Sequence, residues 1–219
     1  MVSKEQLVQI IEVSIDELIA TFKATPFFFY TENDLHTYLY FGIFSKLPLG
    51  EWQCKTRDGK SSILLHKEYP TKERYSAKAL KKGFSEGARG HFDLSIWNPD
   101  EASDREFRVV SSTNFEEEQQ TFIAIELDLI ERNEPMKQAM HHFKWDILKL
   151  RSQKNRVEHG YQLVFVRDWR NRGNFPESAR KEAVKTHNVT VLYIEKDNDV
   201  VRVGTLTPKP FLNFEQIFK

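Results

Sequence analysis

The sequence predicts an α/β protein built on a mixed sheet, and three observations carry that prediction. Residues 122–129, "FIAIELDL", alternate apolar and other residues with the period of two that a strand requires. Met136, Met140, Phe143, Ile147 and Leu150 then recur at three- and four-residue steps, the spacing of one helix face. The β-rich run "YQLVFVRD" follows, so strand, helix and strand succeed one another, the order of an α/β layer.

The remaining elements fall into line around these. Leu7, Ile10, Ile11, Leu18 and Phe22 mark a first amphipathic helix, which stops near "ATPFF" because Pro26 disfavours helical geometry in the residue before it. Thr31 and Asp34 form a variant capping box that opens a second helix, "ENDLHTYLYFGIFSKL", ending before Pro48. Residues 49–60, with Gly50 and "RDG", read as a loop or hairpin turn. "SSILLHKEY" and "GHFDLSIW" read as strands preceding "TFIAIELDL", and the polar stretch between the last two has room for a short extra element. After "YQLVFVRD", Pro176 suits the first turn of another helix running to about Lys185. "VTVLYIEK" and "VVRVGTL" close the chain as a strand pair around "DND".

Composition bounds the function. The chain has 219 residues, 40% of them hydrophobic and 17 of them Phe, enough for one sizeable core. No internal repeat or low-complexity linker divides it, so residues 1–219 read as one domain. Lys plus Arg and Asp plus Glu number 32 each, so only local patches can speak for a polyanionic partner. A single cysteine, Cys54, excludes an internal disulfide framework or a CxxC metal site. With no signal-type apolar run and no stretch of membrane-span length, a cytoplasmic protein without membrane partners is expected.

The chemistry concentrates on two strands. Period two sends Glu126 and Asp128 to one face of "FIAIELDL" and the apolar Ile123, Ile125, Leu127 and Leu129 to the other. Paired carboxylates on an apolar strand repel and, if buried, destabilise the fold. A hard divalent cation such as Mg²⁺ or Mn²⁺ relieves that conflict. If the strand 90–97 pairs beside this one, Asp93 joins them, and three carboxylates form a plausible phosphodiester-cleaving metal site. Acids on a solvated strand face are the bland alternative. His141 and His142 are adjacent and diverge on a helix, whereas His66 and His91 share faces with Glu68 and Asp93. "SEGARG" lacks the spacing and lysine of a phosphate-binding P-loop.

In order and context these motifs resemble the PD-(D/E)XK nuclease superfamily, the restriction-endonuclease-like fold. "YTENDLHTYLY" resembles its acid-bearing helix, "GARGHFDLSI" the Asp strand, "FIAIELDLI" the Glu-x-Lys strand, and "HHFKWDILKL" the helix that follows. The resemblance covers residues 28–170, leaving an N-terminal helix in 1–27 and a C-terminal extension in 171–219. It implies an αβββαβ core, a central mixed sheet flanked by helices. It also implies that Asp93 and Glu126 hold Mg²⁺ or Mn²⁺, that Glu32 supports the site, and that Glu68 is an auxiliary acid. Such folds often act as homodimers, although no segment here marks an interface.

One position departs from the pattern: Asp128 stands where the family has lysine, so it is either a third metal ligand or the mark of a domain that binds without cutting. The following helix offers replacements in Lys137 and Lys144, seven residues apart on one edge of its apolar stripe. Nucleic-acid contact is expected from two basic stretches that also carry aromatics. One contains Lys78, Lys81, Lys82 and Arg89, the other Arg170 and Arg172 beside Trp169. The expected function is metal-dependent hydrolysis of DNA. The alternative is a catalytically silent member of the same fold that binds nucleic acid or a protein partner.

Overall fold

The computed structural model describes residues 2–75, 88–102, 121–168, 175–183, 188–196 and 201–204. Helix α1 (Lys4–Ala24) opens with a capping box: the Gln6 N–H donates to Ser3 Oγ, and Gln6 Oε1 accepts the Ser3 N–H. It ends before a short 3-10 turn at Pro26–Phe28. Helix α2 (Glu32–Phe44) follows, its first turn held by the Asp34 carboxylate, which accepts the Thr31 N–H at 2.7 Å. This is the predicted cap, and the helix stops a turn earlier than the sequence suggests.

The stretch 49–60 does hold a hairpin turn, which joins β1 (Gln53–Lys55) to β2 (Ser61–Ile63), and it adds a single-turn helix, α3 (Leu49–Trp52). Gly59 takes the hairpin's positive φ of 77°. The run "SSILLHKEY" is therefore not one strand. It breaks at Leu64, whose N–H turns aside to the Trp52 carbonyl while its own carbonyl accepts the Trp97 N–H. Strand β3 (Leu65–Tyr75) begins after the break.

Strand β3 is antiparallel to β4 (Ala88–Trp97), which is antiparallel to β5 (Thr121–Ile130). The short helix α4 (Pro99–Ala102) lies in the connection between β4 and β5. Helix α5 (Met136–Arg151) then carries the chain to β6 (His159–Val166), parallel to β5. Helix α6 (Phe175–Ala183) leads to β7 (Val189–Glu195), parallel to β6, and β8 (Val201–Gly204) returns antiparallel along β7. The main sheet is thus mixed and six-stranded, in the order β3-β4-β5-β6-β7-β8.

Each sheet face is covered. On one side α1 and α2 bring Leu7, Ile11, Leu18, Phe22, Leu35 and Leu39 onto Leu94, Ile96, Ile123, Ile125 and Leu163. On the other, Phe143, Ile147 and Leu150 of α5 and Phe175 of α6 pack on Ala124, Val164, Val166 and Val191. Central strands covered on both faces read as continuous apolar runs, so polar residues in β5 and β6 stand out. Among the described residues no helix is long and apolar enough to cross a membrane.

Candidate metal centre

The site begins where the β4–β5 ladder stops. Registered pairing runs from Trp97↔Thr121 to Leu94↔Ile125 and goes no further. Beyond it, the N–H groups of β5 need other acceptors, since an unpaired buried N–H is costly. Two carboxylates supply them. Asp93 Oδ2 accepts the Leu127 N–H at 2.7 Å, and Glu32 Oε2, from the first turn of α2, accepts the Leu129 N–H at 3.2 Å. The predicted Asp strand and acid-bearing helix therefore converge on β5.

Glu126 and Asp128 share the α5 face of β5, as their period-two spacing predicts. Glu126 is buried; its Oε2 accepts from Lys149 Nζ at 2.7 Å, while its Oε1 has no hydrogen-bond partner. Lys149 also reaches Asp146 Oδ1 at 2.8 Å and donates to the His91 carbonyl at 3.1 Å. Asp128 Oδ2 accepts from Gln162 Nε2 at 2.7 Å, and Gln162 stands beside Glu126 in the parallel β5–β6 register. The same amide nitrogen lies 3.5 Å from Asp146 Oδ2.

Burial dominates the electrostatics. It pushes the Asp93 carboxyl up to about 7, against the pull of Lys149 and the Leu127 N–H. It raises Glu126 well above the usual carboxylate range, with Lys149 opposing. Asp128 is raised well above its ordinary value by burial, then by Asp146, Glu32 and Asp93. Glu32 is raised by burial and relieved by the Leu129 N–H. For Lys149 burial acts to lower the pKa, but Glu126, Asp146 and Asp93 together outweigh it and hold the ammonium well above its ordinary value. Among the described residues, the acids Glu32, Asp93, Glu126, Asp128 and Asp146 thus gather around one buried ammonium, that of Lys149, and remain undercompensated.

His36, one turn along α2 from Glu32, lies on the other side of Asp93. It is buried, and its Nε2 sits 3.4 Å from Asp93 Oδ2 and 3.8 Å from Glu32 Oε1 without a hydrogen-bond partner. Burial and the nearby Lys67 hold its pKa at about 4, with a backbone hydrogen bond to Leu127 acting the other way, so the ring is neutral near pH 7. Glu68 sits across the β3–β4 pair at a left-handed φ of 54°, exposed. One donor atom each from His36, Glu68 and Asp93 lies within 4.8 Å of the others, a grouping able to hold a metal ion. An open cleft at the carboxyl end of β5, lined by Glu32, Arg132, Glu134 and His142 among others, borders the cluster.

The sequence-predicted residues divide accordingly. Asp93, Glu126, Asp128 and Glu32 meet, and Glu68 joins Asp93 through the His36 group. Lys144 does not take part: it and Lys137 lie exposed on α5, because the edge of the apolar stripe that carries them faces away from the sheet. The lysine beside Glu126 is Lys149, on the opposite edge. Of the predicted nucleic-acid contacts, Lys78, Lys81, Lys82, Arg170 and Arg172, with Trp169, lie outside the described residues, as does 103–120 of the β4–β5 connection. Arg89 sits at the start of β4, its backbone in register with Arg74. His66 is packed on Trp97, with ring centroids 4.1 Å apart, and takes no part in the cluster.

Sequence reasoning missed Lys149, Asp146, Gln162 and His36. Two signals point to them: the i,i+3 pair in "DILK" beside the stripe, and a lone amide inside "YQLVFV". Fold and site together define an α/β protein with a mixed sheet and a partly buried, undercompensated carboxylate cluster. No family model, no curated protein and no solved structure matches the chain.

Proposed function

We propose that the protein is a divalent-metal-dependent nuclease that hydrolyses DNA phosphodiester bonds on a restriction-endonuclease-like core. The observation that carries the reading is Lys149: a buried ammonium 2.7 Å from Glu126, contributed by the helix after the Glu strand. It supplies the cation that Asp128 cannot. The element order from α2 through β3, β4, β5 and α5 to β6, antiparallel up to β5 and parallel beyond it, supports the same reading.

The donor set fits a hard divalent cation. Glu126 offers an unpartnered buried oxygen, Asp93 stands close enough to raise its pKa, and the excess of acids favours added positive charge. In this reading Asp93 and Glu126 hold Mg²⁺ or Mn²⁺. Such an ion, when bound, polarises a phosphoryl oxygen and makes water a better nucleophile at neutral pH.

The rest falls to the chain itself. Lys149 donates to the phosphate and orients the attacking water, held in place by Asp146. Asp128 serves as a positioning residue: with Gln162 it fixes the polar wall around that lysine. Glu32 and Asp93 hold β5 open where its ladder ends. Lys78, Lys81, Lys82, Arg89, Arg170 and Arg172 grip the DNA backbone. A cytoplasmic location and a homodimeric state belong to the same proposal.

Incubation of plasmid, linear and single-stranded DNA with Mg²⁺ or Mn²⁺ tests it. Cleavage is expected that stops on chelation and falls by about 10²-fold or more in Glu126→Gln and Lys149→Met. Intact DNA under both cations refutes cleavage. Salt-sensitive binding of that uncut DNA then identifies the silent, binding form of the fold.

A further inference from the structure

We propose that His36, Glu68 and Asp93 form a cation site of their own, suited to a borderline divalent ion such as Mn²⁺ or Zn²⁺ more than to Mg²⁺. The three donors come from different elements, α2, β3 and β4, yet lie within 4.8 Å of one another. The group is not merely acidic. His36 is only 5% exposed and aims an unpartnered Nε2 at Asp93 and Glu32.

A buried polar atom left without a partner destabilises a fold, so such atoms are rare unless something fills the position. The simplest filler, an imidazole N–H donated to Asp93, is not made: the 3.4 Å approach fails hydrogen-bond geometry, and Asp93 Oδ2 already accepts from Leu127. A cation between the ring and the carboxylates satisfies all of these groups at once.

The donor set gives the preference. Mg²⁺ takes oxygen ligands in rigid octahedral geometry, whereas imidazole suits Zn²⁺ and other first-row ions. Metal–ligand bonds of about 2.0–2.2 Å put donors roughly 3–4.4 Å apart, so donors within 4.8 Å of one another need at most a slight closure. Glu68, the exposed member, is free to supply it. Glu32 Oε1, 3.8 Å from the ring nitrogen, adds a further oxygen. Two ammonium groups act on His36 against a cation: Lys67 of β3, drawn aside to Asn33 Oδ1, and Lys149 of α5, drawn to Glu126 and Asp146.

The site shares Asp93 with the proposed nuclease centre but needs no cleavage to exist, and its test uses no nucleic acid. Mn²⁺ bound to the full chain is read by electron spin-echo modulation, which detects a coordinated imidazole nitrogen. Nitrogen coupling is expected in the wild type and in Glu126→Gln, and should vanish in His36→Phe. Mn²⁺ affinity should fall by about tenfold or more in His36→Phe and in Glu68→Gln. The surface variant Glu68→Gln keeps the test decisive if the core variant fails to fold. The proposal is overturned by absent coupling in the wild type, by coupling that survives His36→Phe, or by unchanged affinity in Glu68→Gln. Loss of coupling in Glu126→Gln also overturns it, since the ion would then belong to the nuclease centre.

Discussion

Replacing Lys149 by methionine isolates the electrostatics of the cluster. Methionine keeps most of the stem and removes only the ammonium, so packing against α5's neighbours is largely preserved. Glu126, 1% exposed, then loses its one hydrogen-bond partner among the described residues, and Asp146 loses the ammonium paired with it at 2.8 Å. Removing one member of a buried pair typically destabilises by about 3–5 kcal/mol, because its partner is left buried and uncompensated. At about 2–4 °C per kcal/mol for a chain of this length, the melting temperature should fall by roughly 6–20 °C near pH 8.

The pH dependence has a definite sign. Without Lys149, burial lifts Glu126 still further above its ordinary value of 4.5. The native state retains a proton that the unfolded state has already lost, in the variant up to a higher pH than in the wild type, so the variant's stability falls further as pH rises above that ordinary value. Below it the carboxyl is neutral in both states and the deficit should close. Urea titrations of wild type and Lys149→Met at pH 4 and pH 8, in chelator, measure this directly. Adding Glu126→Gln to Lys149→Met should recover part of the loss at pH 8. Equal stabilities at pH 8, or the same deficit at both pH values, would refute the account of Lys149 as the cluster's counter-charge.

Three further outcomes can be checked alongside. His66, held at about 4 by burial against an ordinary 6.5, is neutral in the native state where the unfolded chain is charged. Stability should therefore drop as pH falls from 6.5 towards 4, by up to about 3 kcal/mol, and His66→Phe should flatten that slope relative to wild type in a urea series. Arg167 donates to the Phe29 and Pro26 carbonyls and pairs with Glu131, so Arg167→Leu should lose about 2 kcal/mol in the same assay by orphaning the buried end of the loop before α2. A Cβ at Gly160 would meet Val189 Cγ2 at 3.1 Å and Leu150 Cβ at 3.2 Å. Gly160→Ala should cost about 1–2 kcal/mol and, by pushing the end of α5, reduce divalent-cation affinity seen by calorimetry.

The elements legible in the sequence were those with a clean period. Residues 122–129 placed Glu126 and Asp128 on one face, and the stripe from Met136 to Leu150 placed α5 across it. What period cannot tell is rotational phase. Lys137 and Lys144 lie one residue after stripe positions, Asp146 and Lys149 one residue before, and both edges look alike along the chain. Only the way α5 crosses the sheet turns the second edge towards Glu126. The break at Leu64 was hidden for a similar reason: "ILL" is apolar throughout, and the bonds that divide it come from Trp52 and Trp97, remote in sequence or in the next hairpin. His36 was masked by its helix, where a histidine among Leu35 and Leu39 reads as core until a carboxylate from another strand is set beside it.

The carboxylates of Asp93 and Glu32 also stand in for a missing length of β4, each accepting a β5 N–H that has lost its ladder partner. They are therefore joinery as well as chemistry. Whatever the site does, the fold is under pressure to keep both, since losing either frees a backbone donor at the seam. Retention of these two acids across a lineage says that the seam is intact. Lys149 and Glu126 carry no such duty, because the ladder does not need their pairing.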